Sequence, residues 1–178
     1  TRIGHALARI PLDPRMGRML LAGEEHGCLR ELIVLVAGLT IQDPRERPRE
    51  EREKADQLHR RFCAPMPTDD EDSPDPDGSD FVAVLRLWDY LTAQRREMSG
   101  NAFRRMCRDE YLNYLRVREW QDLVSQLRQV TNQIGVRTNH DEAAPNDIAR
   151  SVLAGLLSHI GLRDPERGDY LGARGARF

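Results

Sequence analysis

One stretch governs how this chain can fold. LRELIVLVAGL, Leu29 to Leu39, is apolar nearly all the way round a helical wheel. A helix of that kind has no solvent face, so it must be central and covered on every side. Periodicity leaves a strand open for Leu32–Val36, because Ile and Val are strand formers, but the length favours a helix. The rest of the chain has to supply the cover. Of its 178 residues 39% are hydrophobic and 31% charged, a balance that suits helices with wide solvated faces. A chain of this size buries a core without staples. The expected class is mainly α.

Punctuation along the chain marks out the other helices. Asp13-Pro14 is a strong helix start, a capping carboxylate before a proline, with Met16, Met19, Leu20 and Leu21 forming an apolar side and Gly27 placed for a left-handed C-terminal residue. Gln42 to Lys54 reads as a solvated hinge leading into a charged helix, and Ala55 to Phe62 as helical with Leu58 and Phe62 on one face. Phe81 to Gln94 is an amphipathic helix, capped by Ser79 or Asp80, with Val84, Leu85, Trp88 and Leu91 in one stripe. After a break at Ser99-Gly100 come a short helix around Ala102 to Cys107 and a long one from about Glu110 to Ile134, ended by Gly135. Its apolar positions are Leu112, Leu115, Trp120, Leu123, Leu127 and Val130. Beyond the polar loop Thr138–Asn146, Asn146 or Asp147 caps a helix over Ile148–Ile160 that Gly161 stops. Gly155 inside it costs about 1 kcal/mol against alanine, which points to close helix packing. Tyr170 to Phe178 reads as a strand entering a further domain.

Several functions are excluded or disfavoured. No Gly-x-x-x-x-Gly-Lys-Ser/Thr loop is present, and the only lysine, Lys54, has no glycine near it. His140 to Ala144, HDEAA, superficially resembles a helicase acidic box, yet it follows a polar loop rather than a buried strand. Ser151 and His159 are too far apart on one helix to act together, so no catalytic residue is expected. Cys28, Cys63 and Cys107 have no Cys-x-x-Cys spacing, which argues for a reducing cytosol rather than a disulfide framework. His59 and Cys63 supply only two ligands for zinc, and the prolines of the acidic loop Pro65–Asp80 disrupt a calcium-binding spacing. No metal is expected. No apolar run is long enough to span a membrane.

The formal net charge is −2, so any basic surface for nucleic acid must be local. Two clusters qualify. Asn113, Arg116 and Arg118 lie among the apolar positions of the long helix, where amide and guanidinium groups can donate to phosphate oxygens without reading sequence. Arg104, Arg105 and Arg108 form a second cluster one short helix earlier. The alternatives are bonds to neighbouring helices for the first cluster and a plain solvated face for the second.

Three fragments carry a family resemblance: PLDPRMGRMLL (Pro11–Leu21), FRRMCRDEYLNYLRVREWQDLVSQLRQV (Phe103–Val130) and YLGARGARF (Tyr170–Phe178). In this order they resemble the region just after the motor of DEAH-box RNA helicases, most closely the bacterial HrpA type. The resemblance covers essentially the whole chain. It implies a winged-helix-like part over residues 1–45, a helix bundle, or ratchet, over 46–167 with the acidic loop 65–80, and the first strand of a truncated OB-fold over 168–178. It also implies an accessory region of an ATP-dependent RNA helicase, cut from a longer protein. That region would shape the RNA channel and couple motor motion to translocation, with Asn113, Arg116 and Arg118 on the helix lying along the RNA. ATP and Mg2+ would belong to the motor and no cofactor to this region. The implied partners are single-stranded RNA, through its backbone, and the motor domains of the same polypeptide; there is no membrane, and the setting is cytoplasmic. The acidic insertion Asp69–Asp80 departs from the family pattern. The rival expectation is a stand-alone helical protein-interaction module without RNA binding.

Overall fold

The computed structural model describes residues 12–63, 79–164 and 167–177. The expectations for the first eleven residues and for most of the acidic loop, calcium included, lie outside the described residues. The chain forms two compact units, one of the described residues up to Leu32 together with those from Gln129 onward, the other of Ile33–Arg128.

In the first unit, helix α1 (Pro14–Glu25) starts where Asp13-Pro14 places it: the Asp13 carboxylate accepts from the Arg15 amide at 2.8 Å. Met19, Leu20 and Leu21 turn inward, and Gly27 takes the left-handed conformation, φ 67°, that lets the chain reverse into helix α2 (Leu29–Thr40). The strand alternative for Leu32–Val36 is thereby excluded.

The polar loop ahead of the last helix is a brace. Asn139 Oδ1 accepts from the Arg30 amide at 2.8 Å, satisfying a free donor in the first turn of α2 from far along the chain. Its Nδ2 donates to Glu31 and to the Asp141 carbonyl, both at 2.9 Å. The Arg30 guanidinium completes the set on Glu31, at 2.6 Å, and on the His140 carbonyl, at 3.1 Å. Glu31, only 8% exposed, is thus a buried carboxylate with its oxygens bonded. The HDEAA segment belongs to this brace.

Helix α7 (Pro145–Leu153) begins earlier and ends earlier than its sequence suggests. Pro145 occupies the first position and Ala144, without a side-chain bond, the cap, because proline is preorganised for a helix start. A Cβ on Gly155 would lie 2.5 Å from the Arg15 carbonyl oxygen and 2.6 Å from Met19 Cγ. The glycine therefore does mark close packing, though just past the helix rather than within it. The residues expected to continue the helix form only a short 3-10 turn, Leu157–His159. Strands β1 (Leu162–Arg163) and β2 (Tyr170–Leu171) then pair antiparallel, Leu162 opposite Leu171. Of the strand expected over Tyr170–Phe178 only Tyr170–Leu171 is present, because a 3-10 turn at Ala173–Gly175 follows it, and Phe178 lies outside the described residues; the partner β1 had no signal in the sequence, where a two-residue strand leaves no alternation to read.

In the second unit, Ile33 to Ala37 of α2 are buried. Helix α3 (Arg52–His59) and the turn Arg60–Phe62 bury Ala55, His59 and Phe62. Helix α4 (Asp80–Glu97), capped by Ser79, buries Ala83, Leu87 and Leu91; of the expected stripe only Leu91 is fully buried, with Val84, Leu85 and Trp88 half-buried on its flank, because small Ala83 takes a core position that bulk alone does not mark. Helices α5 (Gly100–Asp109) and α6 (Tyr114–Gln133) follow. The buried face of α6 is Val117, Trp120, Val124 and Leu127, a 3-4-3 spacing. The expected set mixed this face with its flanks: Leu115 is 73% exposed. Trp120 is 1% exposed, its Nε1 donates to the Val34 carbonyl at 3.0 Å, and its ring meets Trp88 edge-on at 5.1 Å.

Candidate nucleic-acid interface

Helix α5 is short and two-sided. Ser99 Oγ accepts from the Ala102 amide at 3.4 Å and starts it. Phe103 and Cys107 are buried, and burial pushes the Cys107 thiol up to about 11, which keeps it protonated and inert. Asn101, Arg104, Arg105 and Arg108 are exposed, and their three- and four-residue spacings put them on one face. Arg108 reaches Asp109 at 3.3 Å, an exposed and therefore weak pair. Arg105 makes no ion pair among the described residues. The Arg104 guanidinium stands 5.6 Å from the centre of the Tyr114 ring.

The bend between α5 and α6 is held from outside. Tyr111 has φ 55°, the left-handed region that a bulky residue rarely occupies. The segment Asp43–Glu46 pairs with it in antiparallel fashion: the Glu46 amide donates to the Tyr111 carbonyl and the Asn113 amide to the Pro44 carbonyl, both at 2.8 Å. Tyr111 Oη donates to Glu51 at 2.8 Å; that bond holds the Glu51 carboxyl below its usual range and raises the Tyr111 hydroxyl. Next to it, Glu110 takes three bonds. Its carbonyl accepts from His59 Nε2 at 3.0 Å, and its carboxylate accepts from Tyr90 Oη at 2.8 Å and pairs with Arg61. Burial, with this bond behind it, raises the Tyr90 hydroxyl. The Arg61 guanidinium also lies over the rings of Tyr90 and Phe62, at 4.4 and 4.7 Å. His59 Nε2 faces the Glu110 carbonyl, which can only accept, so Nε2 carries the proton; burial foremost, then Arg45 and Arg47, lower its pKa against the raising effect of the Glu110 bond.

These bonds sort the six sequence-selected residues. Asn113 stands before α6, not inside it. Its Oδ1 accepts from the amides of Leu115 and Arg116 at 3.1 Å, which makes it the helix cap, and its Nδ2 donates to Glu46 at 2.7 Å. Asn113 cannot serve as both cap and mid-helix residue, and the left-handed Tyr111 is what interrupts the longer helix expected from Glu110. Arg116 Nη1 donates to the Asp43 carbonyl at 3.0 Å. Arg118 is exposed, as are Arg104, Arg105 and Arg108. Sequence reasoning missed Tyr111, Tyr114 and Glu110, and weighed His59 only as a zinc ligand. A His or Glu with an inward role carries no local signal, whereas the tyrosines in DEYLNY flank Asn113 and were there to be weighed. Among the described residues no three metal-ligating side chains converge.

The helicase associated domain (HA2), ratchet-like, family matches residues 13–110. Over all 178 residues the chain is 48% identical to the ATP-dependent RNA helicase HrpA of Escherichia coli and 44% identical to the HrpA homolog of Haemophilus influenzae, covering 13% of each. It is 27% identical over 138 residues, 75% of this chain and 18% of the relative, to the pre-mRNA-splicing factor ATP-dependent RNA helicase DEAH10 of Arabidopsis thaliana. The chain thus spans a small part of the length of the relatives it matches. With the order of its motifs and its mainly helical build, it belongs to the ratchet-like helicase-associated (HA2) family of DEAH-box, HrpA-type RNA helicases.

Proposed function

We propose that this chain is an accessory region of an ATP-dependent RNA helicase and that α5 and the start of α6 hold single-stranded RNA by its phosphates. The observation that carries this reading is the exposed face of α5. Arg104 and Arg105 have no carboxylate partner among the described residues, Arg108 has only a weak one, and Arg118 stands exposed on α6. Guanidinium groups free of carboxylates can grip phosphate oxygens in a bidentate fork, and a local patch suffices in a chain of net charge −2. Asn113 and Arg116 serve the same surface from behind, by fixing the start of α6. In the proposed arrangement residues 1–45 are winged-helix-like, 46–167 form the bundle and the chain from 168 enters an OB-fold. The motor domains of the same cytoplasmic polypeptide bind ATP and Mg2+, and this region supplies no catalytic residue but couples their motion to translocation.

RNA binding by the full-length helicase, titrated with fluorescent single strands at several salt concentrations, tests the reading. Arg104→Ala, Arg105→Ala or Arg118→Ala should each lower the salt slope by about 0.7 per lost contact and weaken RNAs of different sequence alike. Asn113→Ala and Arg116→Ala should lower stability first. Unchanged affinity and slope in all the arginine variants would remove α5 and α6 as an RNA track.

A further inference from the structure

Tyr114 is the first residue of α6 and is half-buried. Its ring meets the fully buried Phe103 edge-on, centroids 6.3 Å apart at 66°. Arg104 lies over it at 5.6 Å, and Arg95 stands in the same way over Phe103, at 5.4 Å. Arg118, one turn along α6, shares its face of the helix. The Tyr114 hydroxyl has no hydrogen-bond partner among the described residues. The result is a ring fixed by a core residue and covered by one guanidinium group without a carboxylate partner, Arg104, at the joint between the two basic helix faces. A surface that gripped phosphates alone would need no such ring. We infer that Tyr114 stacks on a nucleobase of the strand whose phosphates the neighbouring arginines hold.

This rests on the proposed RNA track and adds a contact of a different kind to it. Aromatic–base stacking accepts any base, because every base has a π-face, and it complements a phosphate grip that reads no sequence. The base takes the place of the Arg104 guanidinium on the ring. Arg104, on its flexible stem, moves from the ring to a phosphate, so one side chain exchanges a cation–π contact for an ionic one as the base arrives. Phe103 behind Tyr114 keeps the ring in place during the exchange, so little side-chain freedom is lost on binding.

The test uses the full-length helicase with two probes, a short oligoadenylate and an abasic ribose–phosphate chain of equal length. Tyr114→Leu should weaken oligoadenylate binding by about fivefold or more while leaving the abasic chain and both salt slopes unchanged. Tyr114→Phe, which keeps the ring, should restore wild-type binding. Equal weakening on both chains, or none on either, overturns the inference. A second readout needs no variant: 2-aminopurine placed along the strand should be quenched at one position on binding the wild-type protein, and fluorescence that stays at the free-strand level at every position refutes stacking. If Arg105→Ala lowers the salt slope while Tyr114→Leu changes nothing, the track stands and the stacking falls. If the wild type binds neither chain, the track itself falls and the stacking with it.

Discussion

Trp120 is the largest of the fully buried side chains described in the second unit. It is 1% exposed, stacked edge-on against Trp88, and bonded through Nε1 to the Val34 carbonyl of α2. Truncation to alanine removes an indole from a site that backbone on one side and a second indole on the other cannot collapse to fill. Substitutions of this kind cost about 3–5 kcal/mol, and the bond to Val34 contributes roughly 0.5–1.5 kcal/mol of that. Trp120→Phe keeps most of the ring and loses the bond, so its cost should be about 1–2.5 kcal/mol. Urea unfolding of the 178-residue chain, followed by circular dichroism, separates the two. At a slope of about 2 kcal/mol per molar urea, the alanine variant should lower the midpoint by roughly 1.5–2.5 M and the phenylalanine variant by less than half of that. An alanine variant that unfolds at the wild-type midpoint would mean that the indole is not in the core. Equal midpoints for the two variants would mean that the Nε1 bond and not the ring carries the stability.

Two further outcomes follow from contacts elsewhere. Gly155→Ala places a methyl group 2.5 Å from the Arg15 carbonyl oxygen, so α1 must shift, and the chain should lose about 1–3 kcal/mol in the same unfolding assay; a neutral result would show that the two backbones do not approach. His59 has a folded pKa below its ordinary 6.5, with burial as the first cause, so its contribution to stability is complete above pH 6.5 and declines as the pH falls through that value toward the folded pKa. His59→Gln, which can still donate to the Glu110 carbonyl, should therefore narrow its deficit against wild type between pH 7.5 and 5.5, and a deficit that stays constant refutes buried neutral histidine.

The parts of the fold that were legible in the sequence are those set by local chemistry. Asp13-Pro14, Gly27, Ser99-Gly100 and Gly135 mark helix ends in the structure as they do in the sequence, because a cap or a left-handed residue acts within a few positions of itself. The apolar run from Leu29 is a buried helix for the same reason. Long-range bonding was not legible. Asn139 caps a helix more than a hundred residues upstream, Ser151 bonds Cys28, and His59 bonds the Glu110 carbonyl; nothing near those residues announces the partner. Helix phase failed in α6, α4 and α3 because apolar residues beside the buried stripe, Leu115, Leu85 and Leu58, look as apolar as those inside it. At the candidate interface, composition and spacing placed the arginines of α5 on one face, and the structure leaves that face exposed. The two roles of Asn113 were not separable from sequence, since a cap and a mid-helix amide differ only in where the helix begins.

The left-handed tyrosine at the bend means that the hairpin of α5 and α6 does not contain the instructions for its own shape. A glycine at position 111 would let the turn form by itself, whereas Tyr111 takes that conformation because the chain from Asp43 to Glu51 pairs with it, bonds its hydroxyl and seats Asn113. A peptide cut from Ser99 to Gln133 would keep every candidate arginine and lose the angle between the helices that carry them. The reverse also holds. A change in the charged run before α3, which looks like ordinary solvated surface, would loosen the bonds that set how the two arginine-bearing helices are aimed, so in this mixed-charge hinge a surface substitution reaches well beyond its own neighbours.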